Sequence, residues 1–309
     1  MKIVALAGGV GGAKLAHGLA QVVPAEDLTM IVNTGDDFEH FGLSICPDLD
    51  TVCYTLAGLA NPETGWGRAG ETWNVLASLA QLGAPTWFSL GDSDLATHLE
   101  RTRRLQAGEM LSAITADFNQ AWGVRVRVLP MSDQPVRTVV DSDEGQLVFQ
   151  YYFVQRACEP RVKGFRFTGL EVAKPAPGVL EAINAAQLIV ICPSNPWVSV
   201  APILALREVR AALAGQRVVA VSPIIGGKAV KGPAAKMFAE LGIQPSALAV
   251  ARYYGSLLRG FVLDEVDAGQ KGAIRELGII PLVTATLMKD PVDRARLAAE
   301  VVEFGTGLL

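Results

Sequence analysis

A run of glycines follows the first apolar segment of the chain. It lies between the strand-like residues 2–7 and a helical pattern from Ala13 to Val22, and it comprises Gly8, Gly9, Val10, Gly11 and Gly12. Glycines let backbone N–H groups approach an anion closely, and the positive end of a helix dipole favours phosphate there. Lys14 adds a positive charge in the first turn. We predict a phosphate-binding turn, with a tight turn that binds nothing as the alternative.

Paired carboxylates form the second chemical pattern. Asp36 and Asp37 follow the apolar segment 28–32, and Asp48 and Asp50 stand just before another helical pattern. Helix capping accounts for one of these side chains but not for all four. Four carboxylates near a phosphate loop would repel phosphate unless a hard cation lies between them, and Mg²⁺ prefers oxygen ligands. We predict a magnesium site here, with capping and turn chemistry as the alternative.

Further polar residues follow later apolar segments. Ser194 and Asn195 lie between two prolines, where a rigid amide could meet the edge of a base or cap the next helix. A second glycine-lysine loop contains Gly227 and Lys228. In an open parallel sheet the loops after the strands form the ligand crevice. We therefore expect these loops to meet the first glycine turn.

Composition excludes several classes of protein. Half of the 309 residues are hydrophobic, 19% are charged and the net charge is −4, so neither disorder nor a basic nucleic-acid surface is expected. No apolar run reaches the roughly 18 residues of a membrane span. The four cysteines are scattered without metal-binding spacing. We expect a cytoplasmic protein with reduced thiols that binds neither membranes nor nucleic acid.

Apolar segments alternate with helical patterns over most of the chain. This alternation predicts a single Rossmann-like α/β domain, residues 1–309, with a mostly parallel sheet and helices on both faces. The predicted strands include 2–7, 28–32, 86–90, 188–191, 218–221, 260–264 and 279–283. Residues 100–175 break the alternation, with a hairpin around 141–145 whose second arm extends through 151–153. We interpret this segment as an inserted α+β lid or substrate subdomain.

Seven motifs occur in this order along the chain: GGVGGAKL, NTGDD, CPDLDT, LGDSDLATH, LPMSD, PSNP and SPIIGGKAVKGP. Together they resemble the 2-phospho-L-lactate transferase family (CofD or FbiA) of coenzyme F-420 biosynthesis, over about residues 3–290. The resemblance implies a Mg²⁺-dependent transferase that is a homodimer. Its donor is a guanosine-diphospho ester of 2-phospholactate or phosphoenolpyruvate. Its acceptor is the ribityl hydroxyl of Fo (7,8-didemethyl-8-hydroxy-5-deazariboflavin), and GMP is released.

The resemblance also implies roles for particular residues. The segment from Gly8 to Lys14 would hold the diphosphate, and Ser194, Asn195, Gly227 and Lys228 would belong to the donor site. Asp50 would lie beside Fo and the metal as the catalytic residue, with Asp36 and Asp48 as further metal ligands. Ser89 occupies the position of a lysine in some archaeal relatives, so the resemblance does not decide whether Ser89 contacts the acceptor. Asp50, a metal-bound hydroxyl or His98 could accept the proton.

Two other functions are consistent with the opening motif. A nucleotide-sugar-binding regulator similar to the YvcK group would share the fold and the glycine loop without catalysis. An NAD dehydrogenase would use an acidic residue about 20 positions after the glycines, where Asp36 and Asp37 stand. The glycine run departs from the dinucleotide fingerprint, however, because Lys14 replaces its third glycine. The aspartate motif around Asp50 and the aromatic middle segment count against the regulator.

Overall fold

The computed structural model describes residues 1–308, and its centre is a seven-stranded parallel sheet with helices on both faces. Three small antiparallel sheets accompany it. In chain order, the strands are β1 (Ile3–Ala7), β2 (Leu28–Val32), β3 (Phe38–His40), β4 (Leu43–Ile45), β5 (Arg127–Pro130), β6 (Arg137–Ser142), β7 (Gly145–Val148), β8 (Val162–Thr168), β9 (Leu188–Ile191), β10 (Val218–Val221), β11 (Ile224–Ile225), β12 (Lys228–Ala229), β13 (Gly260–Asp264) and β14 (Ile280–Thr284).

Helices connect the parallel strands and cover both faces of the sheet. They are α1 (Gly9–Val22), α2 (Pro47–Leu56), α3 (Asn74–Gln81), α4 (Asp92–Gln106), α5 (Leu111–Ala121), α6 (Val179–Ala185), α7 (Ala201–Ala205), α8 (Arg207–Leu213), α9 (Ala234–Glu240), α10 (Ala247–Tyr254), α11 (Lys271–Glu276) and α12 (Pro291–Gly307). No helix among residues 1–308 is both long enough and apolar enough to cross a membrane.

The order of the main sheet is β14-β13-β10-β9-β1-β2-β5. The chain starts at β1, adds β2 and β5 on one side, and then adds β9, β10, β13 and β14 on the other. The direction of strand addition therefore reverses between β1 and β9. In sheets of this kind, ligands bind where the loops after these two strands diverge. The predicted Rossmann-like class is confirmed.

Burial on both faces explains why the sheet strands are continuous apolar runs. Along β1, Ile3 and Ala5 belong to the core beneath α1 and α12, whereas Val4 and Leu6 belong to the core on the opposite face. A parallel sheet covered on both sides selects such runs, rather than an alternation of apolar and polar residues. The apolar runs in β1, β2, β9, β10 and β13 were therefore readily predicted as strands.

The segment 100–175 has two structural parts. Its β5 is an edge strand of the main sheet and pairs with β2. The predicted hairpin is confirmed as β6 and β7, and β8 completes a separate three-stranded sheet beside β6. This small sheet is tied to the loop after β2, because the Thr138 N–H donates to the Gly35 carbonyl at 2.6 Å. The interpretation of the segment as a lid stays a prediction.

Three local predictions were wrong. Residues 86–90 form no strand; Trp87 and Phe88 pack on Phe38 in a small aromatic cluster outside the main sheet. Tyr151–Gln155 forms a π-helical turn instead of extending the hairpin arm. Helix α1 begins at Gly9 rather than Ala13, so three of the four glycines lie inside the helix.

The carboxyl-terminal helix α12 packs closely against α1. A Cβ atom added at Gly18 of α1 would lie 2.1 Å from the Arg294 carbonyl oxygen and 3.2 Å from the Ala298 Cβ. Because the first of these neighbours is backbone, the two helices would have to separate to accommodate a methyl group. Gly18 therefore sets the distance between the two helices.

Replacement of Gly18 tests this contact. We expect Gly18→Ala to lower the free energy of unfolding by about 1 to 3 kcal/mol through overpacking, even though Ala favours a helix by up to about 1 kcal/mol. Gly272→Ala in α11 is the matched control, because its new methyl group meets open space, and it should stabilise the protein. Urea unfolding measures both effects. Equal stabilisation by the two substitutions would contradict the close α1–α12 contact.

Candidate functional site

The loops after β1 and β9 touch at the point where the sheet order reverses. The Ser194 hydroxyl donates to the Gly8 carbonyl at 2.7 Å. A Cβ atom at Gly11 would lie 2.3 Å from the Pro193 carbonyl oxygen, and one at Gly12 would lie 2.6 Å from the Ser194 Oγ. The two glycines are therefore needed for close packing of the first turn of α1 against the second loop, besides any contact with a ligand.

A carboxylate of the protein occupies the amino end of α1. The Gly9 N–H donates to the Asp48 Oδ1 at 2.6 Å, and Gly9 has a φ of +61° that favours glycine. A Cβ atom at Gly8 would lie 2.5 Å from the Asp48 Oδ2. Asp48 itself lies in the first turn of α2. At least one N–H group of the predicted phosphate turn is thus already bound to an anion.

Asn33, immediately after β2, holds two carboxylates together. Its Nδ2 donates to the Asp48 Oδ2 at 2.9 Å and to the Val198 carbonyl at 3.1 Å, and lies 3.4 Å from the Asp36 Oδ1. Gln150, which follows the small three-stranded sheet's β7, donates to the other oxygen of Asp36 at 3.2 Å. Asp36 and Asp48 are thereby fixed as neighbours at the base of the crevice.

The environment of this pair leaves negative charge uncompensated. Asp36 is 5% exposed and Asp48 6% exposed. Burial, followed by the charges of Asp48 and Asp37, raises the pKa of Asp36 well above its ordinary value. Burial also raises the pKa of Asp48 to about 6. Two buried carboxylates without a cationic partner suit either a shared proton or a bound cation.

Mg²⁺ fits this donor set. It often binds through one or two carboxylates and takes its remaining ligands from water and substrate phosphates. Beside the pair, the Thr34 Oγ1 and the Asp37 Oδ1 are buried without a hydrogen-bond partner. Within residues 1–308, no three His, Cys, Asp or Glu side chains are arranged to hold a metal. The pair Asp36 and Asp48 fits an open site completed by substrate better than a closed protein cage.

Asp50 has a different partner. Both of its oxygens accept from the buried guanidinium of Arg101, in one case at 3.0 Å. Arg101 also donates to the His98 Nδ1 at 3.2 Å, and the His98 Nε2 lies 3.4 Å from Asp94, which accepts from the Tyr54 hydroxyl at 2.7 Å. Although burial acts to lower it, the Asp50 charge holds the pKa of Arg101 above its ordinary value. Asp50 is therefore paired within the protein.

The side chain of Asn195 is used locally. Its Oδ1 accepts from the Trp197 N–H at 3.0 Å, as a helix cap does, and its Nδ2 lies 3.2 Å from the Met237 Sδ. These contacts correspond to the capping alternative weighed for this loop. A nucleotide contact by Asn195 stays a prediction.

The two lysines predicted for the donor site have different surroundings. Lys228 is exposed in β12, on the hairpin whose Gly226 N–H donates to Asp267 at 3.0 Å. The Lys14 Nζ donates to the Met288 carbonyl at 3.0 Å. Gly227, with a φ of +76°, turns the hairpin. Lys14 thus lies against the loop after β14, while Lys228 extends from the hairpin surface.

Ser89 directly follows two residues of an aromatic cluster. Its neighbours Trp87 and Phe88 pack on Phe38, and Trp87 contacts His40 and Tyr151 with ring centroids 5.1 Å and 4.8 Å apart. The His40 Nε2 is buried without a partner. An aromatic surface therefore adjoins the loop that carries Asp36.

Sequence reasoning missed three residues of this site. Asn33 stands first in the NTGDD motif, so its position directly after a predicted strand was a usable signal. Gln150 reaches Asp36 across 114 positions, and Arg101 reaches Asp50 across 51 positions. No local pattern marks either contact, and the run containing Arg101 is equally typical of a solvated helix face.

The Arg101–Asp50 pair can be tested through stability. Arg101→Met leaves a buried carboxylate unpaired and should lower the free energy of unfolding by about 3 to 5 kcal/mol. Arg103→Met, two positions along the same helix, removes an exposed pair with Glu100 and should leave the free energy of unfolding nearly unchanged. Urea unfolding at pH 7 compares them. Similar losses in both variants would show that Asp50 does not depend on Arg101.

Asp37 gives a pH prediction. Burial raises the pKa of Asp37 to about 7, so the folded protein holds this proton more tightly than the unfolded chain. Deprotonation of Asp37 then lowers the free energy of unfolding as pH rises from 5 to 8. The variant Asp37→Asn, which has no proton to lose here, should not show this decrease. The unfolding free energy of the wild type should fall by roughly 2 to 3 kcal/mol relative to the variant over this range. Parallel urea-unfolding profiles at pH 5, 6, 7 and 8 would contradict the raised pKa.

Comparison with known proteins relates the sequence of this chain to one family. The model of the family 2-phospho-L-lactate transferase CofD matches residues 3–275. The chain is 47% identical to a phosphoenolpyruvate transferase from Streptomyces griseus, with 98% of each chain covered. It is 44% identical to a phosphoenolpyruvate transferase from Thermobifida fusca, with 100% of this chain and 99% of that protein covered.

Solved structures confirm the fold. A member of the UPF0052 family from Bacillus halodurans superposes with a TM-score of 0.62 at 15% identity, and 97% of this chain and 98% of that chain are covered. At this identity the likeness concerns the fold alone. The extensive sequence identity to named transferases carries the assignment, so the chain belongs to the CofD family and is a transferase of coenzyme F-420 biosynthesis.

Proposed function

We propose that this enzyme transfers a phosphoenolpyruvyl group from a guanosine-diphospho donor to the ribityl hydroxyl of Fo and releases GMP. The observation that carries the proposal is the 44–47% identity, over essentially the whole chain, to proteins named phosphoenolpyruvate transferase. The residues alone left the lactyl and enolpyruvyl donors equally open. The regulator hypothesis is weaker, because its support is a shared fold at 15% identity.

The donor fits the crevice between the loops after β1 and β9. The proposed donor site contains Gly8, Gly9, Val10, Gly11, Gly12, Lys14, Ser194, Asn195, Gly227 and Lys228. Its support is the contact of the first two loops at the reversal of strand order, while Gly227 and Lys228 are included because of the family resemblance. The hydrogen bond from the Ser194 hydroxyl to the Gly8 carbonyl holds the two loops together. A donor that binds one loop would therefore also affect the position of the other.

Asp36 and Asp48 would hold Mg²⁺ beside the diphosphate. When bound, the ion would neutralise the diphosphate charge and stabilise the departing phosphate. The protein's own contribution is to hold the two carboxylates in place through Asn33 and Gln150. Asp50 is proposed to lie beside the acceptor, and its pairing with Arg101 fixes its orientation.

The aromatic surface is the proposed acceptor wall. Phe41 is 42% exposed and Tyr151 37% exposed, with His40 and Trp87 between them. Planar deazaflavin rings stack favourably on exposed aromatic side chains. Ser89 lies in the same segment and could donate a hydrogen bond to the acceptor. The proposed form of the enzyme is the homodimer that the family resemblance implies.

In the proposed reaction, the terminal ribityl oxygen of Fo attacks the phosphorus that carries the enolpyruvyl group. A new phosphorus–oxygen bond forms, and the bond from the same phosphorus to the GMP oxygen breaks with its electron pair. The hydroxyl proton passes to a nearby carboxylate or to solvent. Positioning and charge stabilisation dominate such transfers, so rigidly held carboxylates matter more than a strong base.

Turnover with defined substrates tests the proposal. Purified enzyme, Fo, Mg²⁺ and the guanylated phosphoenolpyruvate donor should give the enolpyruvyl product and GMP by mass spectrometry, faster than the lactyl donor gives its product. Asp36→Asn should reduce kcat by about 100-fold. The control Asp117→Asn, which removes an exposed ion pair with Arg104, should leave kcat unchanged.

Folded protein that transfers neither group would reject the proposal. Tight UDP-sugar binding without Fo binding would favour the regulator.

A further inference from the structure

We propose that Lys14, Lys231 and Arg294 form one oxyanion subsite that binds the phosphate–carboxylate end of the donor. The chemical class is a compact oxyanion, either phosphate or carboxylate. The identity of the donor rests on the proposed function, whereas the existence of the subsite rests on the contacts and charges of these three residues. Lys231 belongs to the motif SPIIGGKAVKGP but was given no role of its own from the sequence, and Arg294 lies outside the seven motifs.

Three separate elements bring these cations together. Lys14 lies in the first half of α1, Lys231 follows β12 in the second glycine-lysine loop, and Arg294 lies in the first turns of α12. The close α1–α12 contact at Gly18 holds the backbone of Arg294 against α1. A Cβ atom at Gly65 would lie 2.7 Å from the Val10 Cγ1 and 3.2 Å from the Lys231 Nζ. Lys231 therefore reaches the helix one turn before Lys14.

The cations repel one another. Burial, followed by the charges of Arg294 and Lys231, lowers the pKa of Lys14. Burial lowers the pKa of Arg294 against the opposing charge of Asp290, and burial together with the Arg294 charge lowers that of His17. Lys14 and Arg294 are half-buried and Lys231 is exposed, and partial burial of cations without an ion-pair partner costs free energy. The cluster thus carries positive charge that a ligand can neutralise.

The three side chains lack carboxylate partners. Among residues 1–308, none of them forms an ion pair. The Nε of Arg294 is buried and has no hydrogen-bond partner. Lys14 and Lys231 donate instead to the backbone carbonyls of Met288 and Thr64. An arriving oxyanion can replace these carbonyls and gain charge-assisted hydrogen bonds without separating an existing ion pair.

The glycine turn itself explains why such a subsite is needed. Its Gly9 N–H is bound to the Asp48 carboxylate, so the amino end of α1 offers less to an incoming anion than its sequence indicates. A donor with a diphosphate and a carboxylate carries more negative charge than the remaining N–H groups can balance. Lys14, on the same helix, belongs to a group of cations that form no ion pair among residues 1–308.

Binding without turnover tests the subsite. Calorimetry would use three probes: the guanylated phosphoenolpyruvate donor, GMP and inorganic phosphate. Arg294→Gln and Lys231→Gln should each weaken donor binding at least about tenfold and leave GMP binding unchanged. Lys289→Gln, an exposed lysine beside Met288, removes the same charge outside the cluster and should bind all probes normally. Thermal unfolding confirms that each variant is folded.

The outcomes separate the subsite from the proposed function. Donor binding by both cluster variants at the strength of Lys289→Gln would overturn the subsite, even if transfer proceeds. Weakened donor binding in an enzyme that transfers nothing to Fo would support the subsite and reject the reaction. Loss of inorganic phosphate binding with donor binding intact would overturn the donor as the ligand. In steady state, the cluster variants should raise the KM for donor and leave the KM for Fo unchanged.

Discussion

The Asp48 carboxylate at the amino end of α1 is the contact on which the rest of the site depends. The helix dipole and the Gly9 N–H stabilise a negative charge at this point. Because Asp48 belongs to α2, the same bond fixes α2 against α1 and thereby positions Asp50, one half-turn further on. Gly8 must lack a side chain for the carboxylate to approach. This interaction thus accounts for Gly8 and Gly9 and ties α2, with the metal candidate Asp48, to the start of α1.

This arrangement divides the crevice into regions of opposite charge. Asp36 and Asp48 form a buried negative pair on one side of the glycine turn, while Lys14 lies with Lys231 and Arg294 on the outer side of α1. Within the described residues neither group forms an ion pair, although the charge of Arg137 acts on Asp36 and that of Asp290 on Arg294. A diphosphate ester that arrives with a divalent cation supplies both at once. Charge left unbalanced in the protein alone is expected of a site completed by its substrates.

The sequence predicted the fold well, because parallel strands buried on both faces leave continuous apolar runs, such as Leu188–Ile191. It failed where packing, rather than periodicity, decided the structure. Residues 86–90 have the composition of a strand, yet Trp87 packs against Phe38 and Tyr151 outside the main sheet. Arg101 stands in a run with Arg103, which is exposed, and Arg104, which is half-buried, and only the packing of α4 beside α2 reveals that Arg101 is buried. The role of the predicted carboxylates stays a prediction, and the partners Gln150 and Arg101 lay too far along the chain to be inferred.

The pairing of Asp50 with Arg101 has a consequence for the chemistry. The Asp50 carboxylate accepts hydrogen bonds from the Arg101 guanidinium at both oxygens, so its charge is balanced within the protein. Asp36 and Asp48 have no such partner, and their raised pKa values mean that they hold a proton readily when no cation is present. The protein therefore neutralises one carboxylate permanently and leaves two to be neutralised by what binds. This difference favours orientation of the acceptor as the role of Asp50 and assigns the variable charge of the site to Asp36 and Asp48.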